Sequence, residues 1–330
     1  MLVETARLWR DLGFFQHREG RSFHINGVTG PDEYTTVVNN NSYTNLMARK
    51  NLRWAADTLA SLREERPERF AALVGELGLS VSEIEQWRDA GDHIFVPYDE
   101  ELGIHLQDDA FLQKAVWDFE STPADHYPLL LHYHPLVIYR FQVIKQADIV
   151  LAMFLFSPEF SQEQKKRNFD YYDPLTTGDS SLSACVQSIV AAEVGYDDRA
   201  YEYFRYALFM DLADVQGNTE DGVHVAAAGG VWMALVYGFA GMRDDGGRIS
   251  FAPRLPGSWQ RLRFALVVQG DELVVDLTPD DATYLLRAGT TKRIMHRGSE
   301  IELIVGEPVS IPTTPAAAVI EDAPAAIPST

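Results

Sequence analysis

Between Leu136 and Phe156 the chain carries its most apolar run, and at that length a membrane span has to be considered. Arg140, Gln142, Lys145, Gln146 and Asp148 interrupt the run, and charges are costly in hydrocarbon, so it reads as a buried helix of a soluble domain. A helix that is apolar on almost every side sits among other helices, which predicts a mainly α-helical body. Lys145 and Gln146 then stand out. Long polar side chains on a buried helix either pair internally, as in a salt bridge from Lys145 to a neighbouring acid, or point into a cavity that holds a polar ligand.

Composition narrows the partners. The 330 residues, 46% of them hydrophobic, suffice for one large domain and a smaller one. A formal net charge of −20 argues against nucleic acid and anionic membranes, which need clustered cations, so any phosphate must be caught locally. The single cysteine, Cys185, cannot form an internal disulfide, which fits a reducing cytoplasm. Its apolar neighbours mark it as a packed core thiol. Met1 to Trp9 lacks the basic start, apolar block and cleavage site of a targeting peptide. It reads instead as a helix already under way, with Leu2, Ala6, Trp9 and Leu12 on one stripe, as if the chain began inside a domain.

Along the chain, Ser42 is a plausible N-cap for a helix over Tyr43 to Leu62, and Ser80 and Ser82 precede Glu83 and Glu85 as overlapping capping boxes for a short helix through Arg88. Gly91 to Pro135 is aromatic and acidic without a sustained period and is expected to form loops over a cleft. His126, His132 and His134 invite a metal site, but no partner carboxylate or cysteine stands at a recognised ligand spacing, so they are assigned to packing and hydrogen bonding and no metal is expected. Further helices are expected from Ser161 with Gln164, from Ala184 to Val194, from Asp197 to about Val215, and from the His224 region toward Gly238. Beyond Gly246 short β-rich runs follow, with a hairpin signal at Gly270-Asp271. The expected organisation is a helical domain over 1–245, a small antiparallel sheet domain over 246–310, and a disordered Pro/Ala-rich tail over 311–330.

Three stretches carry chemistry. Gly30-Pro31-Asp32-Glu33-Tyr34 sets two acids and an aromatic on a turn. Partial desolvation beside Tyr34 would raise the pKa of Glu33 until it could donate a proton to a leaving oxygen; plain turn formation is the alternative. Thr176 to Ser183 places small hydroxyl residues and a glycine before a helix, which makes an anion site from backbone N–H groups and the helix dipole; capping by Ser181 or Asp179 is the alternative. His224 could donate to phosphate or be a satisfied core histidine.

Ile25 to Tyr34 together with Asn39 to Asn45, and Lys145-Gln146-Ala147-Asp148, resemble segments of glycoside hydrolase family 65, whose members are mostly phosphorylases of α-linked glucose disaccharides. The resemblance implies that Glu33 is the general acid, that Lys145 and Gln146 hydrogen-bond the transferred glucose, and that Ser180, Ser181 and His224 bind phosphate. It implies reversible inverting phosphorolysis of a maltose- or trehalose-type disaccharide to β-glucose 1-phosphate and glucose, with inorganic phosphate as co-substrate and no cofactor. Hydrolysis with Asp179 as base is the rival chemistry. Thr35 and Ala227 depart from the family pattern, where His and Ser are common. The implied fold is the second half of an (α/α)6 barrel followed by the sheet domain. A half barrel would expose inner helix faces, including Leu136 to Phe156, so a homodimer, a complementary chain or an inactive fragment are the other expectations.

Overall fold

The computed structural model describes residues 1–18 and 20–313. The chain opens with helix α1 (Leu2–Leu12), a hairpin of β1 (Phe14–Gln16) and β2 (Ser22–His24), and helices α2 (Ser42–Glu65), α3 (Pro67–Leu77) and α4 (Val81–Asp92). Apolar positions at helical spacing meet here: Leu52, Ala55 and Leu59 of α2 pack with Trp87 and Ala90 of α4 and with Phe23 of β2. Asn41, not Ser42, caps α2, because its Oδ1 accepts the Thr44 N–H at 2.9 Å while the Ser42 hydroxyl turns to the Leu106 carbonyl. Ser80 and Glu83 form a reciprocal capping box at the start of α4, which continues past Arg88 to Asp92.

The apolar run from Leu136 to Phe156 is not one helix. It contains the end of a single turn, α5 (Pro135–Ile138), then the short strand β6 (Phe141–Gln142) and α6 (Asp148–Leu155); earlier loop strands are β3 (Tyr98–Asp99), β4 (Ile104–His105) and β5 (Ala115–Val116). Acceptors outside the run compete for its backbone donors. Ile144 N–H goes to the Leu175 carbonyl at 3.0 Å, and the N–H groups of Lys145 and Gln146 go to the Asp32 carboxylate at 2.8 and 3.2 Å. A carboxylate outbids a helical carbonyl, so Phe141 to Ala147 stays out of the helix and bends at Lys145 and Gln146. Lys145 and Gln146 therefore lie on a loop ahead of α6 and not on a buried helix.

The helix that is buried on nearly every side is α8 (Ser183–Val194). It packs against α6, α7 (Gln162–Tyr172), α9 (Asp197–Phe209), α10 (Val225–Met233) and the π-helical continuation of α10, Ala234–Phe239. Ile149 and Met153 of α6, Phe169 of α7, Ile189 and Val190 of α8, Phe204 of α9 and Phe239 share this core. Most of α6 is covered, while Leu136, Val137 and Leu155 of the run remain exposed. Large apolar side chains left exposed around α9 and α10 are Leu212, Val223 (72%), Val225 (74%) and Trp232 (46%); others, such as Val37, Trp54, Leu131 and Val267, are scattered over the chain.

After Gly246 two sheets form. One is antiparallel in the order β13-β10-β9-β8, from β8 (Leu262–Val268), β9 (Asp271–Leu277), β10 (Asp281–Ala288) and β13 (Val309–Pro312). The other, β12-β11-β7, joins β11 (Lys292–His296) antiparallel to β12 (Ser299–Leu303) but parallel to β7 (Ser250–Phe251), so this region is not purely antiparallel. The β8–β9 turn is Gln269-Gly270, both at positive φ, one residue before the expected pair; two such residues match the twist of the flanking strands. Residues 311–313, expected in the tail, belong to β13 and its following bend, where the Thr313 N–H donates to the Asp280 carbonyl; the remainder of the expected tail, 314–330, lies outside the described residues.

A buried ionic cluster ties α7 and α8 to the segment that leads into the sheets. Glu193 accepts from Lys165 at 2.5 Å, from Ser157 at 3.1 Å and from Arg243 at 2.8 Å. Burial by itself would raise the Glu193 pKa, but Arg243 and Lys165 hold it below its ordinary value of 4.5. Its contribution to stability is therefore complete above pH 4.5 and is lost as pH falls through the depressed folded value. Glu193→Gln is expected to cost roughly 3–5 kcal/mol in denaturant unfolding at pH 7, because two cations are left without their carboxylate. The same variant should lose the acid-side fall in stability that the parent shows; an unchanged acid limb would refute the assignment.

Candidate active site

The Gly30 to Tyr34 turn is held from beneath by two carboxylates with almost no exposure, Asp32 (0%) and Asp148 (1%). Asp32 Oδ1 accepts the N–H groups of Lys145 (2.8 Å), Gln146 (3.2 Å) and Tyr34 (3.3 Å), and Oδ2 accepts from Gln107 Nε2 at 3.1 Å. The Asp32 N–H donates to Asp148 Oδ1 at 2.8 Å, and Asn41 Nδ2 donates to Asp148 Oδ2 at 2.8 Å. Gly30 is required by this close approach, since a Cβ there would overlap Asp148 Oδ2 and lie 2.7 Å from the Asn41 amide. Burial pushes the Asp32 pKa up to about 6 against the hydrogen bonds that lower it. Asp148 is raised well above the carboxylate range by burial and by the neighbouring charge of Asp32.

Glu33 projects from the opposite side of the turn, and its carboxylate forms an ion pair with the Lys145 ammonium. Its side chain is 54% exposed, so the partial desolvation expected of it is not found in this chain. The turn bears a buried acid and an exposed acid in succession, and the buried one is Asp32. Gln146 is half-buried, and its backbone is anchored with that of Lys145 on Asp32.

A second tie joins the turn to the hydroxyl-rich loop before α8. The buried Tyr34 hydroxyl donates to Asp179 Oδ2 and accepts the Leu129 N–H at 2.7 Å, and the Thr177 hydroxyl donates to Asp179 Oδ1 at 2.6 Å. Both Asp179 oxygens are thus engaged by hydroxyls. Ser180 is buried and its Oγ accepts the Leu182 N–H at 3.2 Å, while Ser181 is half-buried. Neither Ser181 nor Asp179 caps the helix: Leu182 is the N-cap residue of α8 and supplies no side-chain cap; the Ser183 N–H donates to the Ser180 carbonyl at 3.3 Å, which leaves the next first-turn N–H groups for another acceptor. The Ser183 hydroxyl donates to the Lys145 carbonyl at 2.7 Å, so the start of α8 touches the segment that pairs with Glu33.

His224 stands at the start of α10 and is oriented by Asp211, a residue the sequence reading did not single out. Asp211 Oδ1 meets His224 Nδ1 at 2.6 Å and Oδ2 accepts the His224 N–H at 2.9 Å; the histidine hydrogen bond holds the Asp211 pKa below its ordinary value. Among the described residues His224 shares no hydrogen bond with Ser180 or Ser181. A largely apolar cavity of about 200 Å³ lies between the three stretches and is walled by Pro31, Gln146, Leu182, Ser183, Ala226 and Gly230, among others. Of the predicted site residues only Gln146 lines it; Glu33, Lys145, Ser180, Ser181 and His224 do not.

The other singled-out residues pack. His126 Nδ1 hydrogen-bonds the Tyr133 hydroxyl at 2.9 Å and its ring stacks on His132, and His134 caps α5. Cys185 is buried against Gly230, and burial pushes its thiol pKa up to about 11. Thr35 and Ala227 are both buried. Asp32, Asp148, Gln107 and Asp211 were missed as site residues; only Asp32 and Asp148 lay within stretches already marked.

Residues 1–233 match the model of the glycosyl hydrolase family 65 central catalytic domain, and residues 242–303 match the family's C-terminal domain. The chain is 48% identical over 311 residues to an α,α-trehalose phosphorylase of Geobacillus stearothermophilus, which covers 94% of this chain and 40% of that protein. It is 35% identical over 309 residues to a maltose phosphorylase of Bacillus subtilis, which covers 94% of this chain and 38% of that protein. A solved structure described as "Putative kojibiose phosphorylase from human microbiome" superposes with a TM-score of 0.84 at 29% identity, over 94% of this chain and 45% of that one. The chain thus spans about two fifths of the length of the curated relatives it matches. Over nearly all of its own length, it belongs to glycoside hydrolase family 65.

Proposed function

We infer that the chain carries the acid and phosphate side of an inverting disaccharide phosphorylase, with α,α-trehalose as the first substrate to test. The observation that carries this reading is the convergence on Lys145: its ammonium pairs with Glu33, its N–H is held by Asp32, and its carbonyl accepts from Ser183 at the uncapped start of α8. Glu33 donates its proton to the glycosidic oxygen while phosphate attacks the anomeric carbon from the opposite face. The C–O bond to the leaving glucose breaks, and a bond to phosphate oxygen forms with inversion, giving β-glucose 1-phosphate and glucose. Lys145 and Gln146 hold the transferred glucose. Ser180, Ser181, the first turn of α8 and the Asp211-oriented His224 receive phosphate, so an acidic chain binds an anion through local donors. Trehalose is preferred because the relatives with 48% and 44% identity are α,α-trehalose phosphorylases, against 35% for the maltose phosphorylase.

Asp179 bears on the rival chemistry. A hydrolytic base needs a carboxylate oxygen free for water. Both oxygens of Asp179 already accept hydroxyl hydrogens from Tyr34 and Thr177, which favours a tether over a base. A second reading draws on the exposure of Glu33 and, separately, of Val223, Val225 and Trp232: the helical part is half of an (α/α)6 barrel, and the acid becomes desolvated only when further protein covers it.

Incubation of the chain with trehalose and phosphate, alone and with the N-terminal portion of a relative, is expected to release β-glucose 1-phosphate only when phosphate is present. Glucose release that needs no phosphate and disappears in Asp179→Asn would establish hydrolysis instead. Glu33→Gln should lower kcat/KM for trehalose by about 10²–10⁴-fold yet spare α-glucosyl fluoride, whose leaving group needs no proton. Equal loss on both substrates would remove Glu33 as the acid.

A further inference from the structure

We propose that Asp32 is the positioning residue of this site: one buried carboxylate sets the acid-bearing turn and the glucose-contacting Lys145-Gln146 segment in a common frame. The inference rests on the reading of Glu33 as proton donor and of Lys145 and Gln146 as sugar contacts. The sequence distance from Asp32 to Lys145 exceeds a hundred residues, yet Oδ1 of Asp32 gathers the N–H groups of Tyr34, Lys145 and Gln146. Glu33 lies between Asp32 and Tyr34, both of which are fixed, so its backbone has little freedom. A shift of the Asp32 oxygen moves donor and sugar contacts together.

The surrounding amides allow one arrangement of donors and acceptors. The Asp148 N–H can only donate, and it points at Gln107 Oε1 at 3.1 Å, so Gln107 Nε2 must face Asp32 Oδ2. The Thr44 N–H likewise claims Asn41 Oδ1, so Asn41 Nδ2 must face Asp148. Asp32 is therefore the acceptor at the end of a fixed chain of donors. Among the described residues no salt bridge reaches Asp32 or Asp148; amide N–H donors support the pair, and the neighbouring Thr35 hydroxyl also lowers the Asp32 pKa. An amide at position 32 breaks this polarity. In Asp32→Asn the new Nδ2 faces Gln107 Nε2, and if Gln107 flips, its own Nε2 then faces the Asp148 N–H. Gln107→Glu restores the match, because both of its oxygens accept.

The test compares the parent chain, Asp32→Asn, and the double variant Asp32→Asn with Gln107→Glu, by amide hydrogen exchange resolved to single residues and by steady-state kinetics. In Asp32→Asn, exchange at Tyr34, Lys145 and Gln146 should quicken by about tenfold or more while amides in the α8 core keep their rates. Turnover of trehalose should fall by about 10²-fold, with KM for trehalose raised and KM for phosphate unmoved. The double variant should recover both. Unchanged exchange at those three amides in a folded Asp32→Asn would overturn the proposal. If that variant does not fold, a double variant that folds without protection at Lys145 and Gln146 would overturn it equally. Absence of turnover in the parent chain would count against the functional reading alone, since the exchange comparison decides the coupling without it.

Discussion

The acceptance of two main-chain N–H groups by a buried carboxylate determines more of this structure than any single hydrophobic contact. Lys145 and Gln146 would otherwise continue a helical ladder through an apolar run. Asp32 offers a charged acceptor instead, and a hydrogen bond to a charged group contributes about 1.5–3 kcal/mol against about 1 for a neutral one. The run breaks, α6 starts three residues later at Asp148, and the Lys145 side chain is left facing Glu33. Asp148 then closes the circle by accepting from the Asp32 N–H. Burial raises the pKa of both carboxylates, and the neighbouring charge of Asp32 raises that of Asp148 further.

From that point the site grows by tethers, not by a prebuilt basin. Tyr34 reaches Asp179, Ser183 reaches Lys145, and Asp211 orients His224, so each chemical stretch is fixed by a polar contact to an element distant in sequence. The cavity between them is largely apolar, and the polar residues in its lining include Gln146, Asp148, Ser183 and Gln187. An overall charge of −20 is compatible with anion binding under these conditions, because helix N–H groups and hydroxyls act over a few ångströms while the net charge is screened.

Beneath the site, α8 serves as the common wall. Its small and branched residues let α6, α7, α9 and α10 approach it, with Gly230 of α10 set directly against Cys185. Glu193, near its far end, binds Lys165 and Arg243 and so connects the helical body to the start of the sheets.

Local signals in the chain sufficed for much of this. Helical spacing located α2 and α8, the Ser161-Gln164 and Ser80-Glu83 pairs marked two helix starts, and the motif around Glu33 pointed to the family. Strands β11 and β13 went unread because Lys292-Arg293 and the proline after Ile311 hide the alternation in very short segments. Other features were decided only by tertiary structure. Periodicity describes how a segment would satisfy its own hydrogen bonds, so it made one helix of Leu136 to Phe156; a competing acceptor more than a hundred residues upstream overruled it. Type and order in the motif could not say which of two adjacent acids is buried, since burial depends on what the fold lays against each side of the turn. The sequence alone determined the helical character and the family, and it named the candidate reactive groups. Which carboxylate supports and which one faces outward was settled by long-range packing, because solvation is a property of the assembled surroundings and not of the residue.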